Sequence, residues 1–316
     1  MRRAAPTRAL ALLSLASLAP GGLHAAAFAS SRLGSLRTVA LQTLEVASAE
    51  DAPPLVIVHG LFGSARNFLS FSTMLSQQLR VKRRILMVDL RNHGRSAHAP
   101  TMSYEEMAAD VLALLDERGI RRAAVIGHSM GGKVSAVMAL NQPELVQSLG
   151  ILDIAPIQYT AATSPAWAEV EAVVRACAQL PLDGVRDRHQ ASRMLEASIP
   201  NPIMRAFVLT NLTPRAGNDA SGWDWRINVQ AIASSLAEVE DFPYPPDGSR
   251  QYAGQAFFIG GSDSTFIKTS HLPAIASFFP QYTVAKIKNA GHWIHTEQPA
   301  HTLELVSRFL DESAEL

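Results

Sequence analysis

A serine flanked by glycines is the part of this chain whose residues could do chemistry most directly. It stands at the centre of Gly127-His128-Ser129-Met130-Gly131, after the apolar run 123–126 and before a helix-like stretch that starts near Lys133. A turn between a strand and a helix is the setting in which a serine is presented as a nucleophile. The outer glycines tolerate such a strained turn and let strand and helix approach closely. The pentapeptide therefore predicts a hydrolase that attacks through Ser129.

Two histidines near the carboxyl terminus could accept the proton of that serine, whose hydroxyl is a poor nucleophile at its ordinary pKa. His292 follows the last predicted strand, in a loop that can fold back over the edge of a sheet. His295 comes shortly afterwards, where a helix is expected to begin. We therefore predict that His292 is the general base and keep His295 as its competitor.

Two aspartates could orient that histidine. Asp153 ends one predicted strand, and Asp263 follows the next strand after Gly260-Gly261-Ser262. Either gives the chain order serine, acid, histidine, which is the order of the α/β-hydrolase fold. Asp263 would act from the fold's seventh strand, which is the commoner position, and Asp153 from its sixth. The residues alone leave both aspartates open.

Two backbone amides are expected to stabilise the oxyanion that forms when an acyl carbonyl is attacked. One belongs to the residue after the nucleophile, Met130, and the other to the first loop between strand and helix, where Leu61 follows His59-Gly60. Each such donor contributes about 3 kcal/mol of transition-state stabilisation. We predict an oxyanion hole formed by Leu61 and Met130, and a structural role for His59.

Short apolar runs bounded by turn residues predict the strands that must position these side chains. Several are continuous, as in a parallel sheet that is covered on both faces. Helical patterns alternate with them, one of which begins with a capping box of Ser103 and Glu106. This alternation predicts the α/β class with a mostly parallel, doubly wound sheet. The predicted strands are Leu36 to Val46, Leu55 to Val58, Ile85 to Val88, Ala123 to Ile126, Leu149 to Ile154, Gln255 to Ile259 and Tyr282 to Ile287.

The regular spacing of strands is interrupted once. About a hundred residues separate Ile154 from Gln255, which is too many for a simple loop. The segment carries helix-like patches and turn-rich pieces. We predict a helical cap over about residues 156–250, inserted after the fold's sixth strand and above the carboxyl ends of the strands, where ligands bind in open α/β sheets.

Composition limits the classes of function. The chain of 316 residues is 47% hydrophobic and 18% charged, which suits one large α/β domain or two small ones. With the motifs and the order of elements described above, we predict an α/β-hydrolase domain over residues 31–316. Its formal net charge is zero, so no global field attracts nucleic acid. The single cysteine, Cys177, excludes an intramolecular disulfide and a thiolate zinc site.

The amino terminus has its own composition. Residues 1–44 contain no acid, several arginines stand among them, and the apolar run 9–19 is too short to cross a bilayer. We predict a cleavable targeting presequence over residues 1–30 and no transmembrane segment. Its destination is expected to be a mitochondrion or a plastid, and the secretory route stays open.

Longer motifs extend the pattern beyond the pentapeptide. They are His59 to Ser64, Val88 to Ser96, Gly127 to Lys133, Asn211-Leu212, Trp225 to Asn228 and Asn289 to His295. Over about residues 54–312 the chain resembles one branch of the α/β-hydrolase superfamily, the alpha/beta-hydrolase domain-containing protein 11 group and its small bacterial esterase relatives. The resemblance implies a triad of Ser129, His292 and a sixth-strand aspartate, which favours Asp153.

One position departs from that resemblance. Relatives tend to carry Asn-Ser after the two glycines of the seventh strand, whereas this chain has Asp263-Ser264 with one residue added. Asp263 therefore stays an alternative acid. In the bacterial relatives a serine here supports the aspartate, so Ser264 is expected to be a partner of Asp153.

The resemblance implies an esterase, lipase or acyl-thioesterase, whose animal members are mitochondrial. The expected substrate is a small-molecule or lipid acyl ester or thioester, cleaved through an acyl-serine intermediate without metal or organic cofactor. Serine-triad enzymes of this fold that cleave carbon–carbon bonds or act as perhydrolases are alternatives, as is a non-catalytic ligand-binding homologue.

Overall fold

Strands and helices alternate along the computed structural model, which describes residues 33–49, 51–215 and 222–315. The predicted presequence, residues 1–30, lies outside the described residues. In chain order, the strands are β1 (Thr43–Val46), β2 (Leu55–Val58), β3 (Ile85–Val88), β4 (Ala123–His128), β5 (Val146–Leu152), β6 (Leu212–Pro214), β7 (Trp223–Trp225), β8 (Ala256–Gly261) and β9 (Tyr282–Ile287). The α-helices are α1 (Leu69–Gln78), α2 (Tyr104–Glu117), α3 (Met130–Asn141), α4 (Pro165–Gln179), α5 (Arg188–Leu195), α6 (Pro202–Leu209), α7 (Val229–Ser234), α8 (Leu236–Glu240), α9 (Leu272–Phe278), α10 (Ile294–Glu297) and α11 (Pro299–Ala314).

Seven of these strands form one sheet in the order β1-β3-β2-β4-β5-β8-β9. β1 is antiparallel to β3, and every other neighbouring pair is parallel. Every residue of β2, β3 and β4 is buried, as expected for parallel strands covered on both faces. The predicted α/β class and mostly parallel, doubly wound sheet are confirmed.

Helices cover both faces because side chains alternate along each strand. On β2, Val56 and Val58 pack in one core with residues of α2 and α3. Leu55 and Ile57 point the other way, into a second core with residues of α1 and α11. The capping box that starts α2 is present, since the Glu106 amide donates to Ser103 Oγ at 3.1 Å. No helix within the described ranges combines the length and apolarity needed to cross a membrane.

The first strand is shorter than predicted. The sequence pattern predicted a strand from Leu36, but β1 begins at Thr43. The preceding amides bond to side chains, since the Val39 amide donates to Asp110 Oδ1 and the Gln42 amide to Ser96 Oγ, both at 2.8 Å. The Gln42 and Ala40 carbonyls accept from the backbone amides of Asp89 at 2.9 Å and Ala97 at 3.1 Å. This segment is held by the loop and the helix that follow β3.

The segment between β5 and β8, residues 156–250, is called the insertion below. It contains the five helices α4 to α8 and a two-stranded ribbon of β6 and β7 in its described part. Its first helix begins at Pro165 and its last ends at Glu240. The strand that precedes it, the sixth in the numbering of the fold, is the fifth in chain order both among the predicted strands and in the described sheet. A ligand cavity is expected where helices cover the carboxyl ends of parallel strands.

Candidate active site

The turn at Ser129 joins β4 to α3 with a strained backbone. Ser129 has φ 52° and ψ −121°, in the left-handed half of conformational space that side chains rarely adopt. The flanking glycines have no room for a side chain: a Cβ on Gly127 would lie 2.1 Å from the Gly131 carbonyl oxygen, and one on Gly131 would lie 2.3 Å from the Val58 oxygen. This close approach of helix and strands presents Ser129 at the carboxyl edge of the sheet.

Asp153 and His292 meet across two loops at the same edge. His292 Nδ1 lies 2.8 Å from Asp153 Oδ2, although the residues are 139 positions apart in the chain. The Asp153 carboxylate is fully buried and also accepts hydrogen bonds from the Gly261 amide at 3.1 Å and from Ser264 Oγ. Three donors offset the cost of burying this charge. The structure therefore brings together the predicted Asp153, Ser264 and His292.

Asp263 and His295, the alternatives to Asp153 and His292, take no part in this contact. Asp263 is exposed, and its carboxylate accepts a hydrogen bond from Ser262 Oγ at 2.8 Å. His295 is buried and stacks on Phe68 with ring centroids 4.4 Å apart, and in the part of the chain that is described its Nδ1 has no hydrogen-bond partner. Burial, assisted by the nearby His292, lowers the pKa of His295 to about 3. The carboxylate that meets His292 is that of Asp153.

The loop after β2 carries the predicted oxyanion donor Leu61, and its neighbours are held rigidly. Phe62, at φ 60°, donates its amide to His93 Nε2 at 3.2 Å and accepts from Asn211 Nδ2 at 2.8 Å. The Gly63 amide donates to the Gly60 oxygen at 2.9 Å. Leu61 and Met130 both line the cavity beside Ser129.

Two buried histidines, His59 and His93, support this loop. The sequence indicated a structural role only for His59. His59 Nε2 accepts the Leu90 amide at 3.1 Å while its Nδ1 pairs with the Gly60 oxygen at 2.8 Å, which is the structural role expected of it. His93 accepts the Phe62 amide. Burial lowers the pKa of His59 to about 4, and burial together with His59 lowers that of His93 to about 3, so both rings are neutral and able to accept. His93 and Asn211 stand in the motifs that carry the family resemblance, which is the signal that marks them.

Three histidine rings cluster beside Ser129, yet they form no metal site. The His128 ring lies 4.8 Å from both the His292 and the His295 rings, measured between centroids. Burial, with the neighbouring histidines, lowers the pKa of His128 well below its ordinary value. His128 Nε2 pairs with the His292 carbonyl at 2.9 Å and thereby holds the loop of His292. Within the described residues, no group of three or more His, Cys, Asp or Glu side chains could hold a metal ion.

A cavity of about 620 Å³ opens from Ser129 into the space beneath the insertion. This volume is within the range of small-molecule sites. Ser129, Leu61, Met130 and His292 line one part of it. The insertion contributes a mostly apolar wall of Tyr159, Trp167, Val170, Val173, Asn201, Ile203, Met204, Phe207 and Val239.

Comparison with known proteins agrees with this geometry. Residues 53–299 match the family described as alpha/beta hydrolase fold. The chain is 36% identical over 264 residues to the sn-1-specific diacylglycerol lipase ABHD11 of Danio rerio, covering 82% of this chain and 79% of the relative. It is 32% identical over 261 residues to the esterase YbfF of Escherichia coli, covering 82% and 93% respectively.

A solved structure has the same architecture. The solved structure of a marine microorganism esterase superposes with a TM-score of 0.79 at 28% sequence identity, covering 86% of this chain and all of that one. Lipases and esterases thus recur among both the relatives and the structural neighbours. The chain belongs to the α/β-hydrolase fold family, in the group of the ABHD11 lipases and the small bacterial esterases, and is a carboxylic ester hydrolase.

Proposed function

We propose that the chain cleaves acyl esters or thioesters through an acyl-serine intermediate on Ser129, with His292 as the base and Asp153 as the acid of the triad. The observation that carries this proposal is the 2.8 Å contact between His292 Nδ1 and the buried Asp153 carboxylate. An Nδ1–H that donates to Asp153 leaves Nε2 as the basic nitrogen of the ring. Of the two aspartates left open by the sequence, Asp153 is the one with this contact.

In this mechanism Ser129 Oγ attacks the acyl carbonyl while His292 Nε2 accepts its proton. Collapse of the tetrahedral intermediate breaks the bond to the leaving oxygen or sulfur, which takes that proton from the imidazolium. Water then attacks the acyl-serine by the same route, releasing the carboxylic acid and restoring the serine hydroxyl. Asp153 stabilises the transient imidazolium and holds its tautomer.

The amides of Leu61 and Met130 are the proposed oxyanion donors. From Leu61 to Ser64, the Phe62, Gly63 and Ser64 amides are already committed, to His93, the Gly60 oxygen and Asn67 Oδ1, so Leu61 offers the donor that this stretch leaves. Met130 is the first residue of α3, where amides have no partner within the helix and the helix dipole favours negative charge.

The substrate class that we propose is an acyl ester or thioester with an apolar acyl chain. The mostly apolar wall beneath the insertion can receive the hydrocarbon of such a chain. A relative named as a diacylglycerol lipase, similar over 82% of this chain, supports a lipid ester.

Labelling with a fluorophosphonate probe tests this function. We expect the wild-type protein to be labelled on Ser129 and to hydrolyse p-nitrophenyl esters, and we expect Ser129→Ala to lose both properties because no other group replaces the nucleophile. Peptide mapping of the labelled protein identifies the modified residue. Labelling of a different residue contradicts the nucleophile assignment, and labelling without hydrolysis of any ester or acyl-CoA favours a carbon–carbon hydrolase or a perhydrolase.

We also propose that residues 1–30 direct the chain to a mitochondrion or a plastid. The absence of acidic residues from positions 1–44 supports this destination. The described fold begins at residue 33, so cleavage after residue 30 would leave it complete. Residues 1–30 fused to a fluorescent protein should enter one of these organelles, and purely cytosolic fluorescence would reject the proposal.

A further inference from the structure

Lys133 is a buried lysine on α3, the helix that follows Ser129. It lies in the first turn of α3, directly after the turn that presents Ser129. Its side chain lines the cavity and is only 2% exposed. Its Nζ donates to the carbonyl oxygens of Glu240 at 3.1 Å and Asp241 at 2.7 Å, at the end of α8. Lys133 therefore joins the nucleophile helix directly to the last helix of the insertion.

Three further donors bind the same short segment. Tyr104 Oη donates to the Val239 oxygen at 2.6 Å, and the Tyr159 amide donates to the Glu240 oxygen at 2.8 Å. Trp167 Nε1 donates to Glu240 Oε2 at 3.2 Å. Tyr104, Tyr159, Trp167 and Val239 all line the cavity, so the donors that bind the end of α8 also form its wall.

The surroundings of the ammonium are suited to holding it in place. Lys133 Nζ lies 5.2 Å from the centre of the Tyr104 ring and 5.0 Å from that of Tyr159, within the range of cation–π attraction. Burial lowers the pKa of Lys133 to about 7, against the opposing charges of Asp241 and Glu240. The neutral amine keeps two N–H donors, which match the two carbonyl acceptors, so the connection to α8 survives deprotonation.

We propose that Lys133 is a positioning residue that determines acyl-chain selectivity by fixing the end of α8 against the nucleophile helix. This inference rests on the proposed function. The α8 end carries Val239 and anchors Trp167, so loss of its attachment would move the wall that receives the chain. The acyl chain of an acetyl ester ends one carbon beyond the carbonyl, whereas a decanoyl chain runs on into the cavity that this wall lines. Long acyl chains therefore depend on Lys133 more than short ones do.

The test compares Lys133→Met, which keeps the length of the side chain without its donors, with Lys133→Arg, which keeps donors. We expect Lys133→Met to lower kcat/KM for p-nitrophenyl decanoate at least about tenfold more than for p-nitrophenyl acetate, mainly through KM. Lys133→Arg should restore part of the selectivity. An equal loss for both esters, or no change in their ratio, overturns the proposal.

Lys82→Met is the matched control, because Lys82 Nζ also donates to two carbonyls at a helix end, Ser76 at 3.0 Å and Gln77 at 3.1 Å, and it does not line the cavity. It should leave the decanoate-to-acetate ratio unchanged. If Lys133→Met does not fold, Tyr104→Phe removes only the bond to Val239 and should shift the ratio in the same direction by a smaller factor. Failure of the proposed function is separate, since the wild-type protein would then hydrolyse neither ester.

Discussion

Replacing Asp153 with asparagine is expected to lower ester turnover by about 10³- to 10⁴-fold. The new side-chain amide would be able to donate to His292 Nδ1, which favours the tautomer whose proton sits on Nε2, and that nitrogen could then no longer accept the proton of Ser129. The variant also loses the charge that stabilises the imidazolium. Turnover of p-nitrophenyl butyrate by the purified wild-type and variant proteins measures the effect, with near-ultraviolet circular dichroism to check the fold.

Asp263→Asn is the matched control for this experiment. Asp263 is exposed and bonds to Ser262, so its loss should change turnover by no more than about threefold. Fluorophosphonate labelling of Asp153→Asn should be slowed in parallel with turnover, because both reactions need the activated serine. A large loss in Asp263→Asn together with a small loss in Asp153→Asn would move the acid to the loop after β8.

Gly127→Ala is expected to lower the free energy of unfolding by about 4 kcal/mol or more, because the added methyl group clashes with the backbone. The added methyl would lie 2.1 Å from the Gly131 oxygen and 2.4 Å from its carbonyl carbon, so helix α3 would have to move away from β4. That movement would displace Ser129 as well. Urea unfolding, followed by tryptophan fluorescence, gives the change in the free energy of unfolding.

Gly150→Ala on the neighbouring strand β5 provides the comparison. Its methyl would approach the Ile126 side chain at 2.8 Å, and a side chain can shift where a backbone carbonyl cannot. We expect a loss of about 1–3 kcal/mol, as for other overpacked cores. A smaller loss for Gly127→Ala than for Gly150→Ala would mean that the turn around Ser129 relaxes easily, contrary to the close packing described above.

The sequence predicted most of the sheet because its signals are local. The continuous apolar run Leu55–Val58 is a buried strand with the bounds expected of it, and the capping box at Ser103 starts α2. The sequence pattern predicted a strand from Leu36, whereas the strand in the structure begins at Thr43. An apolar run cannot reveal that its backbone donors will bind Asp110 and Ser96, which lie 71 and 54 residues away.

The sequence by itself determined the strand-turn-helix around Ser129, the α/β class and the two histidines from which a base could come. The tertiary structure decided which carboxylate meets His292, since Asp153 and His292 are 139 residues apart. Only the tertiary structure showed the hydrogen bond from Asn211 to Phe62, which are 149 residues apart, and the one from Lys133 to Glu240, which are 107 residues apart. Strand and turn propensities depend on neighbours within a few residues, whereas such contacts depend on which loops the sheet order brings to one edge. The turn that presents Ser129 could therefore be predicted from the sequence, whereas the contacts of Asp153, His292 and Lys133 became evident only in the fold.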